Sequence, residues 1–359
     1  MPPRKTMLVA GALGIVGRSA MEHFAAQPDW DVIGLSRRTP DFEIDAQWLS
    51  VDLRDRRDCE AKLGNLVNVT HIAHAAVFEK PDVTRGWAES DHAATNLDML
   101  RNIVEVVEAA SPGLQHISLM QGTKAYGGHL GPFKMPARET DDRSMGPNFY
   151  HDQMDWLAER QVGKDWAWTI LRPQLVCGIA IGSPLNILSA IGAFAAISRE
   201  SGIPLRFPGG AERIGEATDA RLIAKGLQWA GEAEIARNEI YNITNGDVYI
   251  WQHLWPRVAA LFNMEHAAPQ PMSLNRIMPQ NRDVWDRVVA RHGLLKHSLD
   301  EVVPAWSFAD FLFGHGQRPN PHHMSTIKIR QHGFHDCVDT EELVLELLKE
   351  MQERRILPI

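Results

Sequence analysis

Residues 7–17 read MLVAGALGIVG, a short apolar run that leads directly into three glycines. The run at 7–10 has the length and composition of a buried strand, and apolar residues at helical spacing follow over 17–26. The glycines therefore form a GxxGxxG pattern between a strand and a helix. Gly11 permits a tight turn, Gly14 lets the backbone approach a pyrophosphate, and Gly17 lets the helix pack close to the sheet. The alternative is that these glycines only punctuate an ordinary strand–helix turn.

Strands and helices alternate through the first half of the chain. The apolar periodicity predicts further strands at 31–36, 47–51, 70–75, 115–120 and 166–171, and helices at 54–63 and 96–110. Strands separated by helices form parallel β-α-β units. The sequence therefore predicts an α/β fold of the Rossmann type, a doubly wound parallel sheet with a dinucleotide-binding turn, over residues 1–175.

The pattern changes in the second half. Helical segments are predicted at 187–198, 221–229, 250–262, 284–291 and 340–355, separated by loops rich in Gly and Pro. We expect residues 176–359 to form a mainly helical C-terminal substrate lobe, from which some segments can return to the sheet. Ligands of open α/β sheets bind at the carboxyl ends of the strands, which such a lobe would cover.

The composition excludes several classes of protein. The 359 residues are 44% hydrophobic and 23% charged, as in folded globular chains, and the net charge of −8 offers no basic field for nucleic acid or a membrane surface. Three widely spaced cysteines predict neither a disulfide framework nor a zinc site. The glycine-broken N-terminal run is not a signal peptide, and segment 170–197 contains arginine and proline, which a membrane span tolerates poorly. We expect a cytoplasmic protein whose partner is a small molecule.

The residues after the second strand indicate which dinucleotide binds. An NAD enzyme usually has Asp or Glu there to hold the ribose 2′-hydroxyl, whereas this chain has Ser36-Arg37-Arg38. Two guanidiniums suit a 2′-phosphate by charge and by forked hydrogen bonding, so the sequence favours NADPH over NADH. The alternative is a solvated basic loop. Asp52 and Leu53, after the third strand, are candidates for an adenine contact, although Asp52 could equally cap the next helix.

The usual catalytic pair of short-chain dehydrogenases/reductases, Tyr-x-x-x-Lys, is absent from its expected places. Tyr150 begins a plausible helix but is followed at that spacing by Met154, and Tyr126 is followed by Leu130. A lysine occurs elsewhere, since Lys124 comes directly after the fifth strand. A sugar-nucleotide epimerase or dehydratase would need the missing motif, so these reactions are disfavoured.

Several strings resemble those of the PRISE family, the progesterone 5β-reductase/iridoid synthase-like short-chain dehydrogenases/reductases. They are GALGIVG, SRR, ISLMQGTKAYGG, GPNFYHDQMD, NGDVYIWQHLWP, SFADFLFG, GFHD and RRILP. The resemblance implies that Lys124 and Tyr150 form a relocated catalytic pair, that NADPH reduces the carbon–carbon double bond of enones or enals, and that the chain forms a homodimer. The residues expected to bind the cofactor are Gly11, Leu13, Gly14, Ile15, Val16, Gly17, Ser36, Arg37, Arg38, Asp52, Leu53, Ala75, Ala76, Met120, Tyr150 and Val176.

Three departures from the family pattern concern the pocket wall. The family usually has Leu-Gln-Thr-Gly before its lysine, whereas this chain has Leu-Met120-Gln121-Gly. Ala125 stands where a histidine usually follows the lysine, and His151 replaces the second tyrosine of the NFYY string. We expect these changes to alter the wall of the pocket more than the chemistry.

The implied mechanism sends hydride to the β-carbon of an α,β-unsaturated carbonyl. Tyr150, a neutral phenol at pH 7, would donate to the developing enolate oxygen, and Lys124 would hold the ribose or add positive field. The α-carbon proton can come from water, and no metal is required. Two alternatives stay open: reduction of the carbonyl itself, and a non-catalytic NADP(H)-binding sensor.

The remaining histidines and aromatics favour structural roles. The C-terminal histidines, which include His332 and His335, lack the spacing of a zinc site, and His71 and His74 are expected to be satisfied structural histidines. The aromatics of the second half are expected to be mostly core, with some lining an apolar substrate pocket; they are Trp251, Trp255, Trp285, Trp306, Phe308, Phe311 and Phe313.

Overall fold

A computed structural model describes residues 4–80, 89–316 and 322–359 of the chain. Its strands, in chain order, are β1 (Lys5–Ala10), β2 (Trp30–Leu35), β3 (Gln47–Leu49), β4 (His71–His74), β5 (His116–Met120), β6 (Ala167–Pro173), β7 (Leu175–Cys177), β8 (Leu205–Arg206), β9 (Ala217–Asp219), β10 (Glu239–Ile243) and β11 (His266–Ala267).

The described helices are α1 (Ile15–Ala25), α2 (Arg56–Leu63), α3 (Ser90–Ala110), α4 (Phe149–Gln161), α5 (Ile187–Glu200), α6 (Ala220–Glu232), α7 (Trp251–Leu261), α8 (Leu274–Ile277), α9 (Arg282–His292), α10 (Leu299–Val302), α11 (Trp306–Leu312), α12 (Ile327–Gln331) and α13 (Thr340–Glu353). Single 3₁₀ turns occur at Thr123–Tyr126, Glu234–Ala236 and Met278–Asn281. None of the helices in the described ranges is long and apolar enough to cross a membrane.

Seven strands form one parallel sheet in the order β10-β6-β5-β4-β1-β2-β3, which confirms the predicted doubly wound α/β fold. The chain builds outward from β1 through β2 and β3, and then returns to add β4 on the other side of β1. The order of the strands therefore reverses between β1 and β4. In open sheets this reversal opens a crevice at the carboxyl ends of the strands, where ligands bind.

The strand β1 shows why the sheet is covered on both faces. Its side chains alternate between two cores: Met7 and Val9 pack with α1 and α6, and Leu8 and Ala10 pack on the side of α2, α3 and α4. All four are buried. A strand buried on both faces reads as a continuous apolar run rather than an alternating one, which is the pattern of residues 7–10.

The second half of the chain is mainly helical, and it also contributes to the sheet. A third core gathers the tryptophans of α7, α9 and α11. The strand β10 extends the sheet by pairing with β6, with Tyr241 opposite Leu171. The apolar side of α6 packs over the same sheet face as α1. Residues 176–359 thus supply a helical lobe together with one strand and one covering helix of the sheet.

Candidate active site

Two adjoining cavities lie over the carboxyl ends of the strands, at the reversal between β1 and β4. The first, called here the arginine cavity, has a volume of about 480 Å³ and contains Arg37 and Arg38 in its lining. The second, the tyrosine cavity, has a volume of about 300 Å³ and contains Tyr150 and Lys124. The two share five lining residues, so they form one elongated cleft; these are Gly14, Ala75, Ala76, Val77 and Ser183.

The glycine turn at the middle of this cleft has the geometry that a bound pyrophosphate needs. Gly11 has a φ of +79°, a backbone conformation that strains any residue with a Cβ. A Cβ at Gly17 would lie 2.1 Å from the Gly11 carbonyl oxygen, so only glycine lets α1 start this close to the turn. Gly14 precedes the first residue of α1 and lines both cavities. This geometry fits the turn predicted at Gly11 and the close packing predicted at Gly17, and the approach of Gly14 to a pyrophosphate stays a prediction.

Positive charge dominates the arginine cavity. Arg37 and Arg38 are exposed at its rim, and the Arg38 backbone N–H donates to Ser36 Oγ over 3.0 Å. Arg54 donates to both carboxylate oxygens of Asp52, at 2.9 Å from Nε and 2.6 Å from Nη2, and this contact lowers the pKa of Asp52 to about 2. The Asp52 carboxylate is therefore already paired, and the Arg38 guanidinium donates from Nη1 to the Ile181 carbonyl oxygen over 3.2 Å.

The alternative role of Asp52 as a helix cap is wrong. Asp55 caps α2, because its carboxylate accepts from the backbone N–H groups of Arg57 and Asp58. Arg54 is exposed and also lines the arginine cavity, although it was not among the residues expected at the cofactor. Like Asp52, Arg54 could have been recognised in the sequence by its position just after the third strand.

The other residues expected at the cofactor fall along the same cleft. Leu13 and Leu53 line the arginine cavity, and Ile15, Val16, Met120 and Val176 line the tyrosine cavity. Gly17 is the exception among them, since it lines neither cavity and acts through helix packing. The structure thus brings expected residues from four loops, two helix starts and two strands into one continuous cleft.

Lys124 and Tyr150 come from different elements and meet in the tyrosine cavity. Lys124 lies in the 3₁₀ turn after β5, and Tyr150 lies in the first turn of α4. The Lys124 Nζ atom is 5.2 Å from the centre of the Tyr150 ring. Asn148 ties the two segments together, because its side-chain amide donates to the Lys124 carbonyl (2.7 Å) and its side-chain oxygen accepts from the Tyr150 N–H (3.1 Å).

Burial sets the protonation of both groups. It lowers the pKa of Lys124 to about 8, and the Glu79 carboxylate, with Oε1 3.9 Å from Nζ, opposes that effect. Burial also raises the pKa of Tyr150 above its ordinary value, with Glu79 adding to the increase. Tyr150 is therefore a neutral hydrogen-bond donor at pH 7. The sequence offered no signal for Glu79 beyond its place in the loop after β4.

A buried chain of hydrogen bonds supports the start of α4. Gln121 Nε2 donates to the Tyr150 carbonyl oxygen over 2.7 Å, and its Oε1 accepts from Arg172 Nε over 2.9 Å. Arg172 also donates to the Tyr126 hydroxyl (3.2 Å), which in turn donates to Asn242 Oδ1 (2.6 Å). Tyr126 is therefore part of the support for this helix and not a second catalytic candidate.

The far wall of the tyrosine cavity is apolar and comes from both halves of the chain. Its apolar members are Phe149, Leu185, Phe308, Phe311 and Leu312, and two histidines, His129 and His322, also line it. Two of the aromatics expected to be core or pocket thus line the pocket. Trp251, Trp255, Trp285, Trp306 and Phe313 are buried in the helical core.

The three departures from the family pattern fall in two places. Met120 and Gln121 line the tyrosine cavity, as expected. The expectation is wrong for Ala125 and His151, which contact each other away from the cavity, with His151 Nε2 3.1 Å from the Ala125 carbonyl oxygen. Changes at these two positions therefore alter a contact that supports the site and do not alter the lining of the cavity.

The histidines are dispersed. His332 Nδ1 lies 2.7 Å from the Tyr241 hydroxyl, and His323 Nδ1 lies 2.8 Å from Glu216 Oε1. Across residues 4–80, 89–316 and 322–359, no three side chains are grouped as metal ligands would be. His71 packs on Trp30 in the core. The expectation of a satisfied histidine is wrong for His74, whose two buried ring nitrogens have no hydrogen-bond partner. For His71 it holds at Nδ1, which lies 2.9 Å from Thr70 Oγ1, and is wrong at Nε2, which has no partner.

Comparison with known proteins finds relatives that match most of the chain. The model of the PRISE-like Rossmann-fold domain matches residues 51–358. An (S)-8-oxocitronellyl enol synthase from Camptotheca acuminata is 31% identical over 98% of this chain and 93% of its own length. A 3-oxo-Delta(4,5)-steroid 5-beta-reductase from Arabidopsis thaliana is 32% identical over 86% of this chain and 82% of its own.

Solved structures share the fold at lower identity. The UDP-glucose 4-epimerase from Bifidobacterium longum in complex with NAD+ and UDP superposes with a TM-score of 0.68 at 14% identity, covering 98% of this chain and 99% of that one. This likeness establishes the fold of the chain but not its reaction. The match to the family model and the two relatives decide the family: the chain belongs to the PRISE family of Rossmann-fold proteins, and it is an oxidoreductase of the short-chain dehydrogenase/reductase type.

Proposed function

We propose that the protein is an NADPH-dependent reductase of the carbon–carbon double bond of α,β-unsaturated carbonyl compounds. The observation that carries the proposal is the convergence of a neutral phenol, Tyr150, and a buried amine, Lys124, on a cavity that adjoins the glycine turn. A reaction that builds negative charge on a carbonyl oxygen needs a donor held where that charge appears.

The cleft fits a dinucleotide phosphate on two observations. The Gly11–Gly17 turn has no room for a Cβ at either end, as a backbone that cradles a pyrophosphate requires. The rim carries Arg37 and Arg38 where NAD enzymes carry a carboxylate, and the Asp52 carboxylate in the same lining is paired with Arg54. These contacts favour a ligand with a 2′-phosphate. When bound, the reduced nicotinamide supplies the hydride.

Five residues of the tyrosine cavity then have defined roles in the reaction. The Tyr150 hydroxyl donates to the substrate carbonyl oxygen and stabilises the enolate that forms when hydride reaches the β-carbon. Lys124 adds positive charge beside that phenol, and Glu79 keeps the amine protonated near neutral pH. The apolar wall of Phe308 and Phe311 excludes water from the hydrocarbon part of the substrate.

The test measures NADPH oxidation against small enones, enals and the matching saturated aldehydes, with the products identified. We expect turnover of the unsaturated compounds and a saturated carbonyl product. Tyr150→Phe removes one donor to the enolate, so kcat should fall about 10²–10³-fold, as for other oxyanion donors. Reduction of saturated aldehydes alone would mean a carbonyl reductase. Tight NADPH binding with no turnover of any compound would mean a sensor, and either result would overturn the proposal.

A further inference from the structure

The floor of the tyrosine cavity holds an unusual pair of polar groups. His74, the last residue of β4, is 2% exposed, lines the cavity, and has no hydrogen-bond partner at either ring nitrogen. Gln153 is 1% exposed, lines the same cavity, and has no partner at Oε1. His129, which also lines the cavity, has no partner at Nδ1. Buried polar atoms are nearly always paired, by protein or by an ordered water, so three such residues in the lining of one cavity indicate a bound polar ligand.

The surrounding structure holds both side chains in place. His74 lies opposite Ala10 and Leu119 in the sheet register, which fixes its backbone between two central strands. The Nε2 atom of Gln153 donates to the Asn96 carbonyl of α3 over 2.8 Å, so its Oε1 is left for another partner. Gln153 lies three residues after Tyr150 in α4, and residues at that spacing share one helix face. Tyr150 and the polar pair therefore border the same reaction space.

The protonation of His74 fits contact with a neutral ligand. Burial lowers the pKa of His74 to about 4, so the imidazole is neutral at pH 7. A neutral imidazole offers one donor and one acceptor. Gln153 Oε1 offers an acceptor only. A water molecule bound by an imidazole N–H and by Gln153 Oε1 would keep one hydrogen directed into the cavity.

We propose that His74 and Gln153 bind the water that protonates the α-carbon of the reduced substrate, a role that rests on the proposed ene-reductase function. In that step a C–H bond forms at the α-carbon and an O–H bond of the water breaks. The hydroxide that results is held by the His74 N–H until it takes a proton from solvent. The imidazole itself is unchanged, and the overall proton comes from bulk water. Tyr150 keeps its hydrogen bond to the enolate oxygen until the carbonyl re-forms.

The test uses a 2-methyl cyclic enone, because reduction makes its α-carbon a stereocentre. We expect one configuration at that carbon from the wild type. His74→Leu should give both configurations, lower kcat about 10–100-fold, as for other proton-transfer groups, and raise the solvent isotope effect. His74→Gln, which keeps a donor and an acceptor, should restore stereocontrol. His71→Leu is the matched control, since His71 is a buried histidine of the same strand that does not line the cavity; it should behave as the wild type.

The outcomes separate the two proposals. If the wild type turns over enones and His74→Leu shows the same stereochemistry and kcat, the role of the polar pair is overturned and the ene-reductase function stands. No turnover of any enone by the wild type would overturn the ene-reductase function and this role with it. If His74→Leu does not fold, Gln153→Met decides, because it removes the acceptor and should also give both configurations; a single configuration from that variant would refute the role.

Discussion

Replacement of Gly17 by alanine is the sharpest test of how the fold makes the cofactor site. The added Cβ would lie 2.1 Å from the Gly11 carbonyl oxygen, 2.7 Å from its carbonyl carbon and 2.9 Å from the Ala12 Cα. Real Cβ atoms essentially never approach closer than 3.0 Å, so the turn and α1 must separate by roughly 1 Å. All three contacts are backbone atoms, which no side-chain rotation can relieve.

Overpacking of this kind costs about 1–3 kcal/mol of unfolding free energy. Because we expect the displaced backbone to face the pyrophosphate, NADPH affinity should fall about 10–100-fold, which corresponds to about 1.4–2.8 kcal/mol. Urea unfolding and a fluorescence titration with NADPH measure the two effects. The control is Gly113→Ala, a turn glycine with no atom within 4 Å of its Cβ position, which should be neutral or slightly stabilising. Wild-type affinity and stability in Gly17→Ala would refute the packing argument.

Three further predictions follow from the charges and hydrogen bonds of the cleft. At limiting NADPH, kcat/KM should fall as the pH rises through about 8, because Lys124 of the free enzyme is charged below its pKa and neutral above it. Lys124→Arg should remove that decline. A Lys124→Arg enzyme with the pH profile of the wild type would contradict the assignment. Joint replacement of Arg37 and Arg38 by alanine should weaken NADPH binding about 10–100-fold and NADH binding by less than about threefold in fluorescence titrations, since forked contacts from these arginines would reach only the 2′-phosphate. The control is Arg57→Ala, because Arg57 lies outside both cavities. Equal losses for both cofactors would argue against a 2′-phosphate contact. Tyr126→Phe leaves Asn242 Oδ1 without its buried donor, so urea unfolding should show a loss of about 1–3 kcal/mol, and a loss below about 0.5 kcal/mol would mean that the hydrogen-bond chain contributes little.

Six of the seven strands of the central sheet were predicted, because most of them are buried on both faces and end in recognisable turns. The strand β10 was not predicted. The residues of β1 and the glycines after it determine the strand, the turn and the helix start locally. The helix α3 was predicted six residues short, from 96 instead of Ser90. Its first turns bury the polar side chains of His92 and Asn96, so the apolar periodicity that marks a helix is missing there.

The candidate site was predictable only where one short segment supplies the residues. Arg37 and Arg38 follow a strand end, and the resemblance to the family pointed to Lys124 and Tyr150. Glu79 and Gln153 carry no local pattern, because they reach the cleft only through the packing of a loop and of α4. His74 looked like an ordinary strand histidine, and its unpaired nitrogens are a property of the folded cavity.

The single amide that clamps the lysine turn and the helix start has an evolutionary consequence. In a reductase with the Tyr-x-x-x-Lys motif, the tyrosine and the lysine lie on one helix, so three residues always separate them. Here the stretch between the two reactive groups is anchored at both ends by Asn148. Insertions or deletions at the exposed positions between Tyr126 and Asn148 would then leave the phenol in place relative to the amine, whereas Ala137 is held by hydrogen bonds to His323 and Ser325.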